Sequence, residues 1–106
     1  MHRLMVLYPP PEDPDHSRRY YAETHLPLAE KIPGLKGMRY GLDIEAFEGD
    51  SPYFCVWEGD FEDEEAMTEA LQSAEGQATS GDVPNYASGG AILLHFEAAE
   101  QAHYER

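Results

Sequence analysis

Three observations predict an α+β fold with four strands and two helices in βαββαβ order. Strand-like apolar runs stand at residues 4–8, 37–47, 53–61 and 91–97. Helical stretches with one apolar face separate them at 14–31 and 63–73. The chain has 106 residues, which suits one compact domain and leaves no room for two. Right-handed crossovers place both helices of such a unit on one face of a four-stranded antiparallel sheet, the ferredoxin-like arrangement.

Each element has a local cause. "RLMVLY" is apolar on both parities, the mark of a strand covered on both sides, and "PPPEDPD" ends it. Asp13 caps the first helix, with Pro14 at the first helical position and Asp15 at the positive end of the dipole. The helix runs to about Lys31, where "PG" at 33–34 stops it. "GMRYGLDIEAF" and "YFCVWEGDF" alternate as strands and form a hairpin across "EGDSP". "DEEAMTEALQS" gathers Ala66, Met67, Ala70 and Leu71 on one helical face behind an acidic first turn. Ser73 caps a short extra turn through "AEGQATSGD", and "VPNYASGG" leads to the last strand, "AILLHFE". With both helices on one side, the other side of the sheet is bare. The two-sided apolarity of the first and last strands calls for a cover, and a second copy of the chain, sheet against sheet, is the simplest one.

Composition narrows the function classes. Twenty-one acids against seven bases give a formal net charge of −14. Nucleic acid and anionic membranes both need a basic patch, so neither is an expected partner. The acidity fits a salt-rich cytoplasm or simply a highly soluble protein. The longest apolar run, "AILL", is far from spanning a bilayer, and "MHRLMVLY" is too short for a secretion signal, so the expected location is cytoplasmic. Cys55 is the only cysteine and reads as a small core residue. His2, His16, His95 and His103 show no metal-ligand spacing along the chain, and no metal or other cofactor is expected. No phosphate-cradling glycine motif and no GxSxG is present. The acid runs "EDPD" and "DFEDEE" lack EF-hand spacing and sit where helix caps belong.

The run "HLPLAEKIPGL", the phrase "YFCVWEGDFEDEEAMTEAL" and the segment "SAEGQATSGDVPNYASGG" together resemble the EthD family of the dimeric α/β barrel superfamily, across roughly residues 3–97. The resemblance implies a single EthD-like domain over 1–106. It also implies a homodimer whose sheets form a barrel with the helices outside, in line with the bare-face argument. For chemistry it implies less. The wider superfamily includes cofactor-free monooxygenases, lyases of aromatic polyketides, lactone isomerases and haem proteins, and the EthD group is associated with ether degradation alongside an oxygenase.

The candidate site rests on His25. Tyr21, His25, Leu28, Ala29 and Ile32 form the stripe that faces the sheet, so the imidazole points inward. Pro27 has no N–H and crowds the carbonyl of Glu23, which loosens the helix beside the histidine. The period of two along the third strand puts Trp57 on the side where Phe61 packs, giving His25 and Trp57 one shared cavity. His25 then has two readings: a core histidine bonded to a nearby carbonyl, or a pocket acid/base, for which its ordinary pKa near 6.5 suits it. Tyr8, Tyr21, Tyr40, Tyr86 and Trp57 are candidate substrate contacts, each with plain packing as the alternative. Two functions follow: a cofactor-independent oxidoreductase or lyase acting on a small apolar organic molecule with His25 as acid/base, or a non-catalytic carrier of such a molecule for a partner oxygenase.

Overall fold

A computed structural model of the chain describes residues 1–99; His103 lies outside the described residues. The elements are β1 (His2–Tyr8), α1 (Pro14–Tyr20), a π-helical turn (Tyr21–His25), α2 (Leu26–Ala29), β2 (Gly37–Leu42), β3 (Cys55–Phe61), α3 (Glu64–Gln72), α4 (Ala74–Asp82) and β4 (Ile92–Glu97). The four strands form one antiparallel sheet in the order β2-β3-β1-β4. The fold is α+β and ferredoxin-like, with β1 and β3 central because each β-α-β crossover passes over one strand, β1 to β2 over β3 and β3 to β4 over β1.

Pairing of Val6 with Trp57 and of Tyr8 with Cys55 places these residues on one face, where they are buried with Leu4 and Phe61 beneath the helices. Trp57 lies along its own strand over Gly59, where a Cβ would come within 2.3 Å of the indole, and its Nε1–H points to the Met38 sulfur at 3.4 Å. The second face divides in two. Its β2–β3 half carries Arg39, Glu58 and Asp60, joined to Arg3 of β1 by ion pairs of 2.7–3.4 Å. Its β1–β4 half is apolar, with Met5 and Leu7 beside Leu94 and Ile92. The sequence reading puts one face of the first and last strands under the helices and leaves the other bare. Within the single chain β1 follows this, covered on one face only, whereas β4 is an edge strand exposed along its whole length, because the helices do not reach over that edge.

The first helix starts as expected, the Asp13 carboxylate accepting from the His16 amide at 3.2 Å. It then changes register. The Leu26 amide donates to the Tyr21 carbonyl, five residues back, one residue more than in an α-helix. The expected disturbance at residues 23–27 therefore takes the form of a π turn, just ahead of Pro27. The inserted residue also changes the buried stripe. Both His25 and Leu26 now face inward, while Leu28, expected there, is only partly buried. The helix ends at Ala29 rather than Lys31.

β2 ends at Leu42, five residues short of the expected limit, because Asp43 adopts φ 57° and turns the chain. The expected short turn after Ser73 is a nine-residue helix, α4. Ser73 serves both neighbours: its hydroxyl donates to the Ala70 carbonyl at 2.6 Å and accepts from the Gly76 amide at 3.0 Å. This bend brings Gly76 against the end of α3, so that a Cβ there would lie 2.1 Å from the Ala70 carbonyl oxygen. Backbone cannot swing aside as a side chain can. Gly76→Ala is expected to cost about 2 kcal/mol or more, read from urea denaturation, with α4 displaced. No helix among the described residues is long and apolar enough to cross a membrane.

Candidate functional site

His25 is 3% exposed. The π turn carries it inward, where its ring stacks on Tyr21 at 5.3 Å between centroids and meets Tyr86 at 4.6 Å. Its Nδ1 lies 3.0 Å from the Asp82 carboxylate at the end of α4. Asp82 is itself buried and accepts from the Tyr20 hydroxyl at 2.6 Å and the Asn85 amide at 2.9 Å. An acid in the last turn opposes the helix dipole, so Asp82 gains nothing from its own helix; its three donors hold it there.

The protonation states follow from these contacts. Burial pushes the His25 pKa below its ordinary value, more strongly than the neighbouring carboxylate pulls it up. Burial also opposes the Asp82 charge, but hydrogen bonds from Tyr20, Asn85 and His25 together hold its carboxyl below the usual range. The pair is a neutral imidazole donating from Nδ1 to a carboxylate, which leaves Nε2 with a free lone pair. The same shift sets a pH dependence of stability. Below about pH 6.5 the unfolded chain gains a proton on His25 that the folded chain resists, so stability is full above that pH and falls as the pH drops through it. Thermal melts from pH 8 to 5 should show the wild type losing its margin over His25→Gln in that window.

His25 lines a mostly apolar, partly open cavity of about 50 Å³. Its floor is Leu4, Val6 and Trp57; Ala29 and Ile32 stand beside His25, and Gly76, Thr79 and Ser80 of α4 form the opposite wall. Of the sequence candidates, His25, Trp57 and Tyr8 line this space. Tyr21 and Tyr86 pack against the imidazole instead, and Tyr86 donates a hydrogen bond to the Tyr8 hydroxyl at 2.8 Å. Burial raises the Tyr8 hydroxyl to about pKa 12 and pushes those of Tyr21 and Tyr86 up further. Tyr40 is 49% exposed at the edge strand β2 and lies outside the cavity, though its ring reaches Tyr21 at 5.9 Å. Sequence reading missed Asp82, Tyr20 and Asn85. With 74–82 read as a short turn, an acid at the unfavourable end of a helix was not visible. Spacing along the chain also missed His2, His95 and Glu64, which strand pairing and the start of α3 bring together.

The EthD domain model matches residues 9–90. An uncharacterized 11.0 kDa protein from the thcB-thcC intergenic region of Rhodococcus erythropolis is 33% identical over 95 residues, covering 89% of this chain and 91% of that protein. The crystal structure of an EthD family protein from Bacillus halodurans superposes with a TM-score of 0.87 at 31% identity, covering 93% of this chain and 99% of the other. A cofactor-independent oxygenase from Streptomyces nogalater shares the fold at a TM-score of 0.64 and 15% identity, with 94% of each chain covered. Matched over most of its length by the family model and by both nearer relatives, the chain belongs to the EthD family.

Proposed function

We propose that the chain binds a small apolar organic molecule in the cavity beside His25 and moves a proton on it, without a cofactor, as an oxidoreductase or lyase of the cofactor-independent kind. One observation carries this reading: a buried, neutral histidine whose Nδ1 is fixed on a carboxylate and which lines an apolar space. Nε2 takes a proton from an acidic O–H or C–H of the ligand, Asp82 stabilises the imidazolium that forms, and the apolar floor excludes water. The resulting anion is the species from which addition of dioxygen or elimination of a leaving group begins. The ordinary fold neighbour with oxygenase activity supports the chemistry by fold alone.

A carrier role for a partner oxygenase is the second reading, favoured by a cavity lining with no Asp, Glu, Lys or Arg to act beside His25. The two separate experimentally. A panel of small aromatic and ether ligands is screened by chemical-shift changes around Trp57, and each hit is incubated aerobically and followed by mass spectrometry. Turnover by the wild type, lost in His25→Gln with binding kept within about tenfold, supports the enzyme; binding without turnover supports the carrier. Hits that leave the shifts of His25 and Trp57 unmoved overturn both. Because the base must be neutral, turnover should hold from pH 8 down to about 6.5 and decline only below it.

The functional unit is a homodimer joined through the open sheet face, with Met5, Leu7, Ile92 and Leu94 meeting a second copy. This arrangement leaves the cavity, on the helix side, free in each subunit.

A further inference from the structure

At the end of the sheet away from Tyr8, a cluster of metal-ligating side chains stands apart from the His25 site. His2 of β1 pairs with Glu97 and Leu4 pairs with His95, so His2 and His95 sit diagonally on the helix-facing side. Glu64, the first residue of α3, leans over them. His2 Nε2 is 2.8 Å from His95 Nδ1, the Glu64 carboxylate is 3.8 Å from the same nitrogen, and one ligand atom of each lies within 4.8 Å of the others.

We propose that His2, His95 and Glu64 form a binding site for one divalent transition-metal ion of the zinc class. Two imidazole nitrogens that face each other at hydrogen-bond distance share a single proton; an ion in its place is ligated by both. Tetrahedral coordination at about 2.1 Å needs nitrogens about 3.4 Å apart, an opening of roughly 0.6 Å from the 2.8 Å present. His95 can supply it, since its side chain is 46% exposed, whereas His2 is held at 9%. Glu64 is exposed and free to swing in as the carboxylate ligand, leaving a fourth position for water. The other nitrogen of His2 lies 3.4 Å from the Glu97 carboxylate, which in turn is 3.3 Å from the terminal amine. A carboxylate behind a ligating histidine is the usual device that fixes its ring and raises its basicity. Two imidazoles select against magnesium and calcium, which prefer oxygen, while the net charge of −14 concentrates all cations near the surface. The bound ion would tie the exposed edge strand β4 to β1 and α3. The site is on the helix side of the sheet, so a second copy on the open face does not cover it.

The test is a cobalt(II) titration of the untagged full chain, freed of metal by chelation, in a millimolar excess of magnesium that saturates the acidic surface. The expected result is one cobalt per chain with the visible bands of four-coordinate geometry, displaced by zinc, and a melting temperature several degrees higher with zinc than without. His95→Ala should abolish the bands, and Glu64→Gln should weaken binding at least tenfold. Both positions are exposed enough for the variants to fold, which circular dichroism checks. His16→Ala should change nothing. Absence of the bands in the wild type, their persistence in His95→Ala, or their loss in magnesium would each overturn the site, leaving a hydrogen-bonded histidine pair or cation condensation on an acidic surface.

Discussion

Asp82→Ala should lower the stability of the protein by about 2–3 kcal/mol, a fall in melting temperature of roughly 10–20 °C for a domain of this size. The carboxylate is the acceptor for Tyr20, Asn85 and His25 at once. Asn85 is exposed and Tyr20 only partly buried, so water can satisfy both after the substitution; His25 is buried, and its Nδ1–H is left without a partner. That last term dominates the cost. Asp82→Asn keeps the volume but sets an amide among three donors, and the imidazole then loses its reason to carry the proton on Nδ1. Nitrogen NMR of His25 should show the wild type in the Nδ1–H tautomer and the Asn variant shifted toward Nε2–H. If the proposed chemistry holds, turnover falls at least tenfold in that variant while ligand binding changes little. An Asp82→Ala protein as stable as the wild type would remove the structural basis of the pair.

Leu94→Asp should convert the proposed dimer to a monomer, weakening self-association by a thousandfold or more. Leu94 is 49% exposed in the isolated chain and pairs with Met5 in the apolar half of the open face, with Ile92 and Phe96 also partly exposed on its own strand. An obligate interface of this kind typically buries about 2,000 Å² or more, and an unpaired carboxylate at its centre costs several kcal/mol. The ionic half of the face, with Arg39 paired to Glu58 and Asp60, tolerates charge and is the wrong place for this test. Sedimentation at micromolar concentration reads the outcome, with Phe47→Ser, in a fully exposed loop position off the sheet, as the control that keeps the dimer. A wild type that sediments as a monomer, or an undiminished dimer in Leu94→Asp, would exclude the sheet-face assembly.

The fold was legible because its signals are local. Strand alternation, the Asp13 cap, the acidic start of α3 and the glycines that stop elements each act within a few residues. The departures arose where a non-local term took over. The helix after Ser73 has little apolar periodicity of its own and is held by packing on α3 and by the dual bonds of Ser73. β2 is shorter than its alternation: the chain turns out of the strand at Asp43, which pairs there with Arg18, 25 residues away in sequence. The π turn was half legible: Pro27 marks the place, but which carbonyl the Leu26 amide would choose depends on what the helix packs against.

For the site, helical and strand periods alone turn His25 inward and put Trp57 on the same side of the sheet, and the missing N–H of Pro27 marks the disturbed turn beside the histidine. What the histidine is bonded to depends on the assembled core. Asp82 is 57 residues away along the chain, and the His2–His95 pair spans 93, separations over which no periodicity carries information. Hydrogen bonds between such residues are set by strand register and by the docking of α4 against α2, quantities fixed by the whole packed core rather than by any one segment.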